Sequence, residues 1–129
     1  MTRILLVDDS DGVRRSVRAV LAAAFPAAVV GEANDAGTAL AALGREAWDL
    51  VLLDLSLPDR SGLSALRDIH RLHPALPVVV MSFNSEAEYA VAARAAGAVS
   101  YVAKGTSPDA IVSAVATALS ANDPSGRAR

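Results

Sequence analysis

Five short aliphatic runs, at 4–7, 28–31, 50–53, 78–81 and 98–102, constrain this chain more than any other feature, because a stretch with helical spacing follows each one. The runs are rich in Val, Leu and Ile and lack the apolar–polar alternation of half-exposed strands, as expected where both faces are covered. In the first helical stretch Val13, Val17, Val20 and Leu21 share one face while Arg14, Arg15 and Arg18 point elsewhere. Ser10 or Asp11 caps it. The second stretch, 36–46, carries Ala39, Leu40 and Leu43; the third, 62–72, carries Leu63, Leu66, Ile69 and Leu72 and stops before Pro74. The fourth, 85–96, is alanine-rich and ends at Gly97, a residue suited to a left-handed terminus. The fifth, 108–120, opens with Ser107-Pro108, cap then first helical residue, and carries Ile111, Val115, Ala118 and Leu119. A strand followed by a helix, five times over, predicts an α/β fold: a five-stranded parallel sheet, doubly wound, (βα)5. Right-handed crossovers bring all five strand ends to one edge, where ligands bind in such folds.

The 129 residues suit one domain, read here as 1–121, with 122–129 as a polar tail or the start of a linker. Aromatic residues make up only 4% of the chain, so the core is built from Ala, Val and Leu. A formal charge of −2 gives no overall basic surface for nucleic acid. Cysteine is absent, which excludes disulfides, thiolate metal sites and thiol nucleophiles. Met1-Thr2-Arg3 leads straight into a four-residue apolar run, too short for the apolar region of a signal peptide. No uncharged apolar stretch approaches the roughly 18 residues of a membrane span. A soluble, cytoplasmic protein that does not enter membranes is expected.

Polar residues end the aliphatic runs. Asp8-Asp9 follows the first, Asp54 the third, Ser82 the fourth and Lys104 the fifth. Lys104 is the one lysine in the chain, against eleven arginines, so lysine is not used here to decorate the surface. Asp54 ends a run expected to be buried, where a lone carboxylate costs several kcal/mol unless something cationic compensates. As a helix cap or turn residue it is poorly placed, because the turn signals come later, at Pro58-Asp59-Arg60-Ser61-Gly62. Asp8-Asp9 alone reads equally well as a cap for the next helix. Beside Asp54 the pair becomes a cluster of like charges that needs a cation, and oxygen-only ligands suit a hard ion such as Mg²⁺. Lys104 reads as a strand-terminal charge reaching solvent, or with Ser82 as an ammonium and a hydroxyl clamping phosphoryl oxygens.

These residues resemble the receiver domain of two-component response regulators, over essentially residues 3–120. The resemblance rests on Val7-Asp8-Asp9, on Leu52-Leu53-Asp54-Leu55-Ser56-Leu57-Pro58 followed by Ser61-Gly62, on Ser82, and on Tyr101-Val102-Ala103-Lys104. It implies a flavodoxin-like receiver fold in which Asp54 accepts phosphate from a histidine kinase as an acyl phosphate. It also implies Mg²⁺ bound by Asp9 and Asp54 directly, by Asp8 through water and by the Ser56 carbonyl. Ser82 and Lys104 would grip the phosphoryl oxygens, with Tyr101 as the aromatic switch residue and Asn84 tuning the entry of hydrolytic water. Slow loss of phosphate, not turnover of a substrate, is the expected chemistry.

Two departures stand out. Gly105 follows the lysine where the family often has proline, a feature similar to the LuxR-type branch. Phe83 follows Ser82 where small residues are common. Its ring either narrows access to the site and competes with Tyr101, or covers the loop. The fifth helical stretch carries no Lys or Arg from 105 to 126, so its apolar surface reads as alanine-rich composition or as a docking face. A homodimer through the first, fourth or fifth helix follows from the latter, but not one built on dense charge pairs, since Arg94 is the one basic residue of the last two helices. The LuxR-type likeness suggests transcription regulation through a DNA-binding output domain, which these residues do not encode. A rival reading is a receiver-like interaction module that works without phosphorylation. Another is an aspartate-nucleophile phosphatase of the haloacid dehalogenase type, which wants a second aspartate where Ser56 stands.

Overall fold

Each aliphatic run supplies a strand and each stretch of helical spacing a helix, with the bounds shifted at the second and fifth strands. The structure, a computed structural model, describes residues 1–83, 87–104 and 107–121. In order it contains β1 (Arg3–Val7), α1 (Asp11–Ala24), β2 (Val29–Ala33), α2 (Ala36–Arg45) and β3 (Leu50–Asp54). There follow α3 (Gly62–Leu72), β4 (Val78–Ser82), α4 (Ala87–Ala95), β5 (Ser100–Ala103) and α5 (Pro108–Ala121). The strands form one parallel sheet in the order β2-β1-β3-β4-β5.

Period-two alternation sends successive strand residues to opposite faces, and each face has its own core. Leu5, Val7, Val51, Leu53, Val78 and Val80 pack with Leu43 of α2, Leu66 and Ile69 of α3, and Ala93 of α4. Ile4, Leu6, Leu50, Leu52, Val79, Met81 and Val102 pack with Val17 and Leu21 of α1 and Val115 and Ala118 of α5. Burying both faces is what allows the central strands β3 and β4 to stay aliphatic up to their last residue. Each fully buried Leu or Ile contributes about 2 kcal/mol.

The helix starts follow local chemistry. Ser10 accepts the Val13 N–H at 3.3 Å and so caps α1; Asp35 accepts the Thr38 N–H at 2.7 Å and caps α2. Ser107 accepts the Asp109 N–H at 3.1 Å, ahead of Pro108 as the first residue of α5. Gly97 has φ +118, and a Cβ there would lie 2.5 Å from the His70 ring, so the turn from α4 towards β5 needs glycine.

Several expectations change. β2 runs to Ala33, which pairs with Val7, and leaves Ala28 outside the strand. β5 starts at Ser100, because the Ala98 N–H bonds back to Ala93 and extends the turn after α4. Leu72 is 54% exposed rather than part of the buried face of α3. Arg14 does not point away: only 16% of its side chain is exposed, and it folds back onto the end of β1. Residues 85 and 86, expected in the fourth helix, and the 122–129 tail lie outside the described residues. Among the described residues, no helix is long and apolar enough to cross a membrane.

Candidate functional site

Register brings the acids together. Val7 pairs with Leu53 across β1 and β3, so the next residues, Asp8 and Asp54, are neighbours at the carboxyl edge. Continuing the alternation puts both on the α1/α5 face, and Lys104, two residues beyond Val102, on the same face. Asp8 is fully buried and Asp54 nearly so. The Lys104 ammonium Nζ lies 2.7 Å from Asp8 Oδ2 and 3.1 Å from Asp54 Oδ2.

Alternation alone would turn Asp9 to the opposite face. The chain avoids this by leaving strand geometry after Asp8. The Asp8 N–H still bonds Ala33 O, at 3.1 Å, but its carbonyl accepts from Arg14 Nη1 at 2.7 Å. The Ser10 N–H donates to Asp8 Oδ1 at 2.9 Å and tightens the turn. Asp9 therefore stands exposed at the rim, where one oxygen from each of Asp8, Asp9 and Asp54 lies within 4.8 Å of the others.

The loop after β3 folds on itself. The Ser56 N–H donates to Asp54 Oδ1 at 3.1 Å, Ser56 bridges Ser61, and the Gly62 N–H donates to Leu55 O at 3.1 Å. A Cβ on Gly62 would come within 2.3 Å of Leu55 Cα, so the close return requires glycine. Asp59 ties the loop outward, accepting the Ala36 and Gly37 N–H groups at 3.0 Å each. Those bonds hold its carboxyl below the usual range.

Burial pushes the Asp54 carboxyl up; the Ser56 N–H opposes this, the Asp8 charge adds to it, and Lys104 offsets part. Three carboxylates around one ammonium leave two negative charges uncompensated. Asp8 Oδ2 is buried without a well-formed hydrogen bond, although it meets Lys104 as an ion pair. The ion pair satisfies this oxygen: at 2.7 Å the charge attraction holds whatever the angle. An acid cluster with excess charge and only oxygen donors fits a divalent metal ion.

The remaining predicted residues surround this cluster. Ser82 is buried at the end of β4, and its carbonyl accepts the Lys104 N–H at 2.7 Å. Tyr101 is half-buried and pairs with Val80, which places it on the same sheet face as Ser82. Phe83 is 71% exposed, and its ring centroid lies 5.1 Å from Lys104 Nζ. Both residues line a cleft of about 580 Å³ that includes Val13 and Val17 of α1 and Ile111 of α5. Asn84 and Gly105 lie outside the described residues. Sequence reasoning missed the anchoring parts of Arg14 and Asp59. Glu32, an acid directly after the second aliphatic run, was the available hint for Arg14, from whose Nε it accepts at 2.9 Å.

Fold and pocket together define a doubly wound α/β domain with an acidic ligand site at the carboxyl edge of its sheet. Comparison with known proteins narrows the class. The response regulator receiver domain family matches residues 4–116, and the chain belongs to that family. It is similar to the response regulator UvrY of Escherichia coli (strain K12), 34% identical over 120 residues, 93% of this chain and 55% of that protein. The chain spans about half the length of the curated relatives that it matches in this way. A CheY-like receiver domain protein from Methanospirillum hungatei JF-1 superposes with a TM-score of 0.88 at 29% identity, covering 98% of this chain and 99% of that one. A LuxR-family two-component response regulator from Aurantimonas sp. SI85-9A1 gives 0.87 at 33% identity, covering 94% and 87%.

Proposed function

We propose that this receiver domain is switched by phosphoryl transfer onto Asp54. The observation that carries the reading is the Lys104 ammonium held between two buried carboxylates, with two negative charges left over for a divalent ion. An Asp54 oxygen attacks the phosphorus of a phosphohistidine on a sensor kinase. The new O–P bond forms as the N–P bond breaks, and the imidazole leaves. Lys104 turns from the carboxylates to a phosphoryl oxygen, and the Ser82 hydroxyl donates to another. Mg²⁺, held by Asp9, Asp54 and the Ser56 carbonyl with Asp8 acting through water, would neutralise the charge that accumulates. Tyr101, on the same face as Ser82, follows its movement and carries the change to the surface.

The domain takes up and slowly loses phosphate rather than turning over a substrate, and works in the cytoplasm beside its kinase. In this reading residues 1–121 are the receiver and 122–129 a polar tail or the start of a linker. A homodimer through α1, α4 or α5, and DNA binding through an output domain, complete the proposal. A module that signals without phosphorylation would need Phe83 to fill the pocket, and a ring that is 71% exposed does not. Incubation with acetyl phosphate and Mg²⁺ followed by intact mass tests the reading: wild type gains one phosphoryl group and Asp54→Ala gains none. Modification persisting in that variant removes Asp54 as the acceptor.

A further inference from the structure

Two side chains outside the pocket hold the two loops that border it, and both lead to the same corner of the fold. Arg14 grips the Asp8 carbonyl at 2.7 Å, and its Nε reaches Glu32 of β2 at 2.9 Å. Glu32 is held in turn by Arg18. On the other side Asp59, in the loop that carries Ser56, accepts the first two N–H groups of α2. Asp35 already caps that helix through Thr38, so the Asp59 bonds add a constraint on the loop.

We infer that Arg14 and Asp59 are positioning residues for the metal site, through which the β2–α2 corner sets the spacing of the Asp8–Asp9 turn and the Ser56 loop. That corner contributes no acid to the pocket. The inference rests on the reading of the pocket as a Mg²⁺ site. Mg²⁺ demands near-ideal octahedral geometry, whereas Ca²⁺ accepts longer and less regular ligand sets. Slack in either loop therefore weakens Mg²⁺ more than Ca²⁺. Charge alone makes a different prediction for the two residues. Arg14→Gln removes a positive charge and would tighten any cation; Asp59→Asn removes a negative charge and would loosen any cation. Tethering gives both variants the same sign.

The test titrates the unphosphorylated domain with MgCl₂ and then CaCl₂, following backbone amide chemical shifts. In Arg14→Gln and Asp59→Asn the half-saturating Mg²⁺ concentration rises about tenfold, the low end for outer-shell partners of metal ligands, and Ca²⁺ shifts less. Arg14→Lys, which can still donate to the Asp8 carbonyl, recovers part of the loss. Values within twofold of wild type in both variants, tighter Mg²⁺ in Arg14→Gln, or equal weakening of both ions would each overturn the inference. A wild-type domain that does not respond to Mg²⁺ refutes the metal reading itself, and this inference falls with it.

Discussion

Lys104→Met is the most demanding perturbation of the pocket. Methionine keeps a straight apolar stem and removes the ammonium that two buried carboxylates share. The Asp8 and Asp54 side chains are 0% and 3% exposed, and that of Lys104 is 7% exposed. Removing one partner from a buried ion pair costs about 3–5 kcal/mol, because the remaining charge is left uncompensated. Asp9 stands at an exposed rim, so water reaches part of the cluster and the lower figure, about 3 kcal/mol, applies. For a domain of this size that is a fall in Tm of about 10 °C. In the proposed site a bound divalent ion supplies the missing positive charge, so the variant binds it more tightly, and a Kd about 100-fold lower than wild type's adds about 2.7 kcal/mol more in saturating ion. The variant is therefore expected to unfold about 10 °C early in chelator and to recover most of that difference in saturating Mg²⁺. Thermal unfolding at pH 7, followed by circular dichroism with and without Mg²⁺, reads both quantities. A loss below about 1 kcal/mol in chelator would show that Lys104 does not hold the acids together. Equal Mg²⁺ increments in wild type and variant would show that ammonium and metal do not share them.

Asp54 also makes a prediction about pH. Its carboxyl is raised in the folded state, chiefly by burial, so the fold binds that proton more tightly than the unfolded chain does. The stabilisation is fully present below the ordinary carboxylate range and is lost as pH rises through the raised value. Asp59 and Asp68, both lowered, have the opposite sign and lose their contributions as pH falls. Urea midpoints measured against pH in chelator, wild type minus Asp54→Asn, isolate the Asp54 part: the difference declines with rising pH. A flat or rising difference refutes the assignment. Phe83→Ala opens the rim and frees Lys104 from a ring contact worth about 0.5–1 kcal/mol at an exposed site. Uptake from acetyl phosphate is expected to rise about two- to fivefold, measured as the initial rate of phosphorylation. An unchanged rate would mean that the ring only covers the loop.

The order of elements was legible because a sheet buried on both faces leaves a signature that few other architectures share. Runs such as Leu50–Leu53 and Val78–Met81 contain no polar residue that could face water, and the stretches between them carry their own caps at Ser10 and Ser107. Boundaries were hardest to read on the edge strands. β2 and β5 each pair on one side, so their ends are set by a neighbour's register more than by composition. Ala28 and Ala98 look like strand residues because both pack against core, yet neither is in a strand.

In the site, the legible residues were those whose chemistry contradicts their surroundings. An aspartate ending an aliphatic run is such a contradiction, and so is a solitary lysine in an arginine-using chain. Arg14 contradicts nothing. It is one of three arginines within five positions on what looks like the solvated face of a helix. Its partner is a carbonyl that becomes available only because β1 stops pairing at Asp8, an event decided by the turn that brings Asp9 to the rim. Asp59 is hidden for the same reason, since the N–H groups it accepts lie more than twenty residues away and are unpaired only because α2 begins there. Side chains that satisfy backbone groups are specified by where other elements end. An acid or amine that completes a charge cluster is therefore readable from composition, whereas the tethers that aim the cluster become readable only with the fold.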